Sequence, residues 1–547
     1  MDITSLFFVV IAAIVVAGFA KRLDFQVPLV LVTIGAAASF VPGVPSLEIA
    51  PELMLGVVLP PLLYSAALDF SFNTFRRNLG SILRLGIGMV LVTTLAVGFF
   101  ADWLVPEFTL GAALVLGAVV APPDAVAAVA VGRRLGLPTR IMAILKGESL
   151  VNDATALTLF ALTTAAVTGR EIAIDSPVVF FLYETAGGVL VGLAFAVAVR
   201  LVRSRIEDSP METVLGVVLP FTAYFAAEEI HASGVLAVVT AGFVMGRSAG
   251  DESVSTRVQE RSVWPTVDLV LETFVFAYMG LQLKSVVEDV RADGLPVLHV
   301  FGYGLVVLAL VMLVRPAWIF LNWGRRQAAR SIVRRRGGDR PGDPLNWRQN
   351  LVVSWAGMRG VVTLAAASGV PLVTVAGDPF PGRGVIQAVA FTVAVGTLLI
   401  QGSTLPLLIR KLDVADPDEE RRTEKQVAYA RKVALEAAEQ SLRDVLHDPP
   451  TGIASKEMLE VVERLRLAAE ARMAADLVED VGEHEVKAMQ AGALFNRLRS
   501  RVLKDQRRAL IAARDSGDLD DEVLRRVLET LDMEEAVAES RVQRQRW

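Results

Sequence analysis

"GESLVND", residues 147–153, interrupts a stretch that is otherwise soluble in hydrocarbon, with "IMAILK" before it and "ATALTLFALTTAAV" after it. On a helix, Ser149, Asn152 and Asp153 are spaced i, i+3, i+4, so a hydroxyl, an amide and a carboxylate share one face. Glu148 precedes Asn152 by four residues and points somewhat to the side. Polar groups at such depth need a partner, a water-filled cavity or a function. The surrounding chain decides which.

The chain has 547 residues, 53% hydrophobic and 21% charged, a composition of membrane proteins rather than soluble enzymes. Charge is unevenly distributed. Residues 1–411 carry 31 Lys/Arg and 29 Asp/Glu, and residues 412–547 carry 23 and 30. The expected organisation is therefore a transmembrane domain over 1–411 and a helical cytoplasmic tail over 412–547. The absence of cysteine excludes disulfides and thiolate chemistry, and four histidines do not suggest a histidine-rich metal site. No cofactor, nucleic acid or enzymatic activity is expected. The first apolar run, "ITSLFFVVIAAIVVAGFA", lacks a basic leader and a small-residue cleavage signal before "KRLDF", and reads as a retained helix.

A spanning helix needs about 20 mostly apolar residues, fewer when buried in protein. Thirteen stretches qualify, near 3–20, 27–41, 52–69, 81–103, 109–131, 141–167, 177–199, 212–229, 233–247, 263–284, 296–323, 350–372 and 385–409. Loops after odd-numbered spans hold 21 basic residues and loops after even-numbered spans hold four. Because cytoplasmic loops are the basic ones, the N-terminus is expected outside and the tail in the cytoplasm. Thirteen spans admit two inverted six-helix halves and a linking helix, an arrangement common among secondary transporters.

The ionisable groups well inside these spans are Asp124, Glu148, Asp153, Glu184, Asp268, Glu272, Arg315 and Arg359. In "VLGAVVAPPDAVAAVAV" Pro122 and Pro123 remove backbone donors just before Asp124 and push that span out of helical geometry. The plain alternative is a proline kink. Broken helices at membrane depth also expose carbonyls and half-helix ends, where transporters hold cations. Oxygen ligands of this kind suit a hard monovalent ion such as Na+ at Asp153, Asp124 and Ser149. Apolar burial favours a protonated carboxyl and a nearby cation favours a carboxylate, so one aspartate can hold either a proton or a cation and not both. Arg359, in "SWAGMRGVVTLAAA", needs an anion. Glu148 is its expected partner in a structural ion pair, with Glu272 second, and Arg315, in "LVRPAW", is the rival for Glu148.

With these residues in place the sequence resembles the monovalent cation:proton antiporter family, in its branch of bacterial NhaP-like relatives of animal sodium/proton exchangers. "LPPLLYSAALDF", "APPDAVAAVAV", "GESLVNDATALTLF", "HASGVLAVVTAGFVMG" and "WAGMRGVVTLA" carry the resemblance in order across the membrane domain. "LIAARDSGDLDDEVLRRVLETLDMEEA" is similar to tails of the same branch. The resemblance implies an inverted-repeat antiporter fold with dimerisation and core subdomains, two broken helices crossing near the midplane, and a homodimer in the plasma (inner) membrane. It implies electroneutral Na+/H+ exchange, because Asn152–Asp153 supplies one titrating carboxylate where electrogenic relatives have two. Asp153, Asp124, Asn152 and Ser149 carry over as ion-site residues, and Glu148 with Arg359 as a supporting pair. Two positions depart from the pattern. Pro123 stands where Thr is common, leaving its carbonyl as the available ligand, and Ser65 stands where some archaeal-type members have an acid. Both bear on ion preference, so K+/H+ exchange on the same scaffold is the alternative, and an ion channel or sensor is the reading from another class.

His231 and Ser233 in "EEIHASG" fall in a turn without a nucleophile elbow around the serine. The tail reads as amphipathic helices broken at "HDPPTG" and "DSGD". Such a tail suits pH sensing, membrane contact, dimer stabilisation or a plain solvated bundle.

Overall fold

The structure is a computed structural model, and it describes residues 3–44, 49–170, 174, 176–206, 208–248, 253–335, 345–414, 417–447, 459, 462–467 and 492–544. Among these residues regular structure is helical, apart from one isolated bridge between Val373 and Pro379. Two compact units are present, one formed by Met1–Arg247 with Ser262–Ala415 and the other by Ser248–Arg261 with Asp416–Trp547.

In the first unit helix covers each of the thirteen apolar stretches. The helices are α1 (Ile3–Arg22), α2 (Val27–Ala38), α3 (Pro51–Leu68), α4 (Phe72–Leu104), α5 (Leu110–Val120), α6 (Val126–Arg134), α7 (Thr139–Thr168) and α8 (Pro177–Arg203). They continue with α9 (Ser209–Glu229), α10 (Gly234–Ser248), α11 (Val254–Ala292), α12 (Val297–Arg335), α13 (Trp347–Trp355), α14 (Val361–Ser368) and α15 (Arg383–Leu412). Eight of the described helices are long and apolar enough to cross a membrane unaided.

Two stretches that read as single spans are each two half-helices. The fifth breaks between Val120 and Val126, where Pro122 and Pro123 supply no N–H. The twelfth breaks between Trp355 and Val361, across "AGMRG". That break contains no proline. Its first half begins with a reciprocal cap, in which Asn346 accepts from the Gln349 N–H and Gln349 accepts from the Asn346 N–H. Between the breaks runs α7, thirty residues without interruption, closed by Gly169 in the left-handed conformation.

Packing places α7 at the centre. It contacts α4, α5 and α6 on one side and α3, α8, α13 and α14 elsewhere. The larger apolar core joins α4, α5, α7, α12 and α15, and a second joins α3, α7, α9 and α10. Glycines permit the closest approaches. A Cβ at Gly117 of α5 would stand 2.3 Å from the Thr94 carbonyl oxygen of α4, so these helices touch through backbone. Both α3 and α4 contain a π-helical turn, at Met54–Val58 and Arg84–Met89. The second sets Gly86 against Val151 of α7.

In the other unit, α16 (Pro417–His447), α17 (Gly492–Asp515) and α18 (Asp521–Arg544) pack through their apolar faces. The break read at "DSGD" is a turn with Gly517 at positive φ. The break read at "HDPPTG" lies, beyond His447, outside the described residues, as do positions 336–344 of the basic loop. Arg257 and Arg261, two of the 21 basic residues counted in loops after odd-numbered spans, are instead in the opening turns of α11.

Candidate functional site

The two breaks and the middle of α7 meet in one place. The Asp124 N–H donates to the Met358 carbonyl at 2.6 Å, which ties the first break to the second. The Asn152 amide donates to the Pro123 carbonyl at 2.6 Å, which ties α7 to the first break. A proline carbonyl is a good anchor because no following helical bond competes for it at the break.

Asp124 serves the N-terminal ends. Its Oδ1 accepts from the Val126 N–H at 2.8 Å, and the N–H of Val361, the first residue of α14, also bonds its carboxylate. It therefore caps its own half-helix and the opposite one. Helix N-termini carry partial positive charge, so two of them compensate one carboxylate. The approach is close enough that a Cβ on Gly360 would stand 1.8 Å from Asp124 Oδ2.

Arg359 serves the C-terminal ends. Its Nε donates to the Val120 carbonyl at 3.1 Å, at the end of α5, and its Nη1 donates to the Gly357 carbonyl just past α13. Its own N–H donates to Thr397 Oγ1 of α15 at 2.9 Å. Carbonyls at half-helix ends carry partial negative charge and attract a cation. Arg359 is 1% exposed and makes no ion pair with Glu148.

The expected Glu148–Arg359 pair is thus corrected. Glu148, 2% exposed, takes Arg315 of α12 instead, through Nη1 to Oε1 and through Nη2 to Oε2 at 2.7 Å. Arg315 Nε donates to the Val353 carbonyl at 3.2 Å. This is a bidentate pair, the geometry in which a buried guanidinium and carboxylate satisfy each other best. A Cβ at Gly357 would stand 2.3 Å from Arg315 Cδ, so glycine there makes room for the pair.

Asp153 differs from all of these. It is 6% exposed, and no hydrogen bond or ion pair to it is present among the described residues. Asp124 is near enough for its charge to act on Asp153. Asn152 is fully buried, with Oδ1 unpartnered, and Ser149 is half-buried one turn earlier on the same helix. Pro123 keeps one carbonyl lone pair beyond the bond to Asn152.

Two other carboxylates expected inside the spans have partners. Ser65 of α3 donates to Asp268 Oδ2 of α11 at 2.6 Å, and Thr158 of α7 donates to Glu184 of α8. So the acid beside Ser65 comes from another helix, one turn before Glu272. Ser233 is a helix cap, accepting from the Leu236 N–H at 3.3 Å. Sequence reasoning missed Asp268 as the partner of Ser65 and Thr397 as the anchor of Arg359. Each lies far along the chain from its partner, and no spacing rule connects them.

Residues 9–411 match the family model described as sodium/hydrogen exchanger, transmembrane. The chain belongs to that family. An uncharacterised Na+/H+ exchanger of Mycobacterium tuberculosis is 32% identical, over 96% of this chain and 95% of its own length. The uncharacterised Na+/H+ exchanger YjcE of Escherichia coli is 29% identical over 98% and 99%. An antiporter of Bacillus subtilis named for sodium, potassium, lithium and rubidium is 30% identical over 75% of this chain and 62% of its own. The sodium proton antiporter MjNhaP1 of Methanocaldococcus jannaschii has a similar structure, with TM-score 0.59 and 19% identity over 75% of this chain and 98% of that one. Membership agrees with the expected all-α, polytopic membrane fold with crossing broken helices. In this exchanger, α5/α6 and α13/α14 are those broken helices.

Proposed function

We propose that this chain is a monovalent cation/proton antiporter with Na+ as its cation, and that Asp153 is the carboxylate for which cation and proton compete. The observation that carries the reading is the contrast in partners at the crossing. Glu148, Asp124 and Arg359 are each held by fixed groups, while Asp153 is buried with none among the described residues. A buried carboxylate without donors is stable either protonated or beside a cation, and each state excludes the other. Binding Na+ therefore releases a proton, and protonation releases Na+.

Ser149 and the free oxygen of Asn152 are the neutral ligands nearest Asp153 along α7. Asp124 contributes a charge that its two helix ends already compensate, so it stays constant through the cycle. One proton then exchanges for one monovalent cation and the cycle moves no net charge. In this reading the breaks keep carbonyls and half-helix ends rigid around an ion at membrane depth. The N-terminus lies outside and the tail in the cytoplasm. The membrane domain forms the homodimer, with dimerisation and core subdomains.

K+/H+ exchange has one observation in its favour. Pro123 brings no hydroxyl to the break, and the Ser65 hydroxyl is engaged with Asp268, so the ligand field offsets less of the dehydration cost, which is larger for Na+ than for K+. The test is proton flux in proteoliposomes under an imposed pH gradient, with Na+, Li+ and K+ compared in one preparation. Added Na+ should drive protons uphill at a rate that an imposed membrane potential does not alter. Current without proton coupling would make the chain a channel and sink the proposal. A response to K+ alone would retain exchange and replace the cation.

A further inference from the structure

Helix α11 belongs to both compact units. Its first two turns, Val254 to Arg261, are grouped with the tail residues, and from Ser262 onward the same helix is part of the first unit. Those two turns contribute two arginines to a buried cluster of charges. Asp532 of α18 is fully buried; its Oδ1 accepts from Arg257 Nη2 at 2.8 Å and Nε at 3.1 Å and from Arg507 of α17, and its Oδ2 forms an ion pair with Arg261 Nη2 at 2.9 Å. Glu535, also fully buried and three residues further along α18, takes Arg507 at 2.8 Å and Arg257 at 3.8 Å.

This is not an ordinary surface cluster. Exposed ion pairs form and break with little consequence, but a carboxylate out of water that loses its cations has nothing to replace them. Asp532 lies where three arginines from two different parts of the chain converge, and two of them belong to α11. Four residues beyond Arg261 is Pro265, inside the helix, which cannot make the backbone bond to the Arg261 carbonyl. The start of α11 is therefore joined to the rest of the helix at a weakened turn.

We propose that Asp532 is a latch by which the tail holds the opening turns of α11, and that this hold is required for full transport turnover. The tail acts as a brace on one transmembrane helix. This inference rests on the antiport reading for its transport readout and stands apart from the ion site. The latch groups are not among the residues assigned to the ion site, so releasing them is expected to change how fast the cycle turns and not how tightly Asp153 takes its cation.

The experiment uses the full-length chain in proteoliposomes, comparing wild type, Asp532→Asn and Arg261→Gln. Arg261 has a side chain 38% exposed, so its substitution leaves the fold intact if Asp532→Asn does not. Two quantities are measured: amide hydrogen exchange over residues 255–262, and Na+-driven proton flux against Na+ concentration. Asp532→Asn should accelerate those amides by about tenfold or more. It should also lower maximal flux by roughly fivefold or more, with the half-saturating Na+ concentration changed less than about twofold. Arg261→Gln should shift both readouts in the same direction by less.

Amides that exchange faster with flux unchanged would overturn the proposal, since the tail would then hold α11 without consequence. Unchanged amides in both variants would overturn the latch itself. Faster flux would make the tail a brake, which is the opposite of a brace. A wild-type chain that shows no coupled exchange would sink the antiport reading instead, and the amide readout would still judge the latch.

Discussion

Glu148 and Asp153 are five residues apart on one helix, both almost wholly buried, and their surroundings are opposite. Glu148 has both oxygens engaged by one guanidinium from α12. Asp153 has no donor at all among the described residues. A carboxylate with a permanent cation is fixed in its charged state and serves as a joint between helices. A carboxylate without one is free to change state, which is what coupling two ions requires. The same fold element therefore carries a structural acid and, in the proposed reading, a working acid, and the partner groups distinguish them.

The largest expected effect breaks the comparison at its working end. Asp153→Asn should reduce Na+-driven proton flux to the level of empty liposomes, because an amide neither ionises nor exchanges its proton for a cation. Since Asp153 has no partner to lose among the described residues, the variant should unfold at a temperature equal to or above that of wild type. Residual saturable exchange in this variant would refute the role assigned to Asp153.

The reverse pattern is expected at Glu148. Glu148→Gln leaves the Arg315 guanidinium buried without its anion, and removing one partner of a buried pair costs roughly 3–5 kcal/mol. Thermal unfolding in detergent should fall accordingly, with loss of transport following loss of folded protein. A double-mutant cycle sharpens the point. Glu148 and Arg315 should couple by about 1–3 kcal/mol, and Glu148 and Arg359 by less than about 0.5. Equal couplings would return Arg359 to the partnership first expected for it.

That correction shows what a sequence exposes and what it hides. The broken fifth span was legible because Pro122 and Pro123 announce it in two adjacent residues, and the polar face of α7 was legible because 3.6-residue periodicity is local. The second break was legible only by resemblance. "AGMRG" contains no proline, and its glycines serve Arg315 and Asp124, residues far away in the chain. Which arginine meets Glu148 was hidden for the same reason. Two buried cations competed for one anion, and the decision lay in half-helix carbonyls that have no signature in side-chain sequence. Arg359 satisfies Val120 and Gly357 instead of a carboxylate. Asp124 was read as an ion ligand from the proline break beside it, and what the sequence did not show is that its Oδ1 also accepts from the Val126 N–H.

Gly360 tests that last point with a smaller perturbation. Gly360→Ala sets a methyl group where Asp124 Oδ2 now is, so the carboxylate must leave the N-terminus of α14 or the two breaks must separate. Strain of this kind costs about 1–3 kcal/mol. Because Asp124 is a fixed charge in this scheme, the expected phenotype is lowered stability with weakened cation affinity, and proton coupling should persist in the protein that remains folded. Full loss of coupling, as in Asp153→Asn, would mean that Asp124 shares the titrating role and that the contrast between the two aspartates is wrong.

The smallest effect is expected at Pro123, and it bears on which ion the working carboxylate takes. Pro123→Thr keeps the backbone carbonyl that anchors Asn152, because every residue has one, and adds a hydroxyl at the break. Stability should fall by no more than about 1 kcal/mol, the scale on which proline limits the unfolded chain. A hydroxyl dipole at the break strengthens the ligand field and so offsets more of the larger dehydration cost of the smaller cation, and the preference for Na+ over K+ should rise by roughly fivefold, a difference of about 1 kcal/mol. The comparison of half-saturating concentrations in the same liposomes decides it. If the ratio does not move while exchange is retained, the oxygen supplied before Asp124 has no part in choosing the ion. Selectivity then resides on the α7 side, with Ser149 and Asn152, and the first break is purely the anchor that its bonds to Met358 and Asn152 already make it.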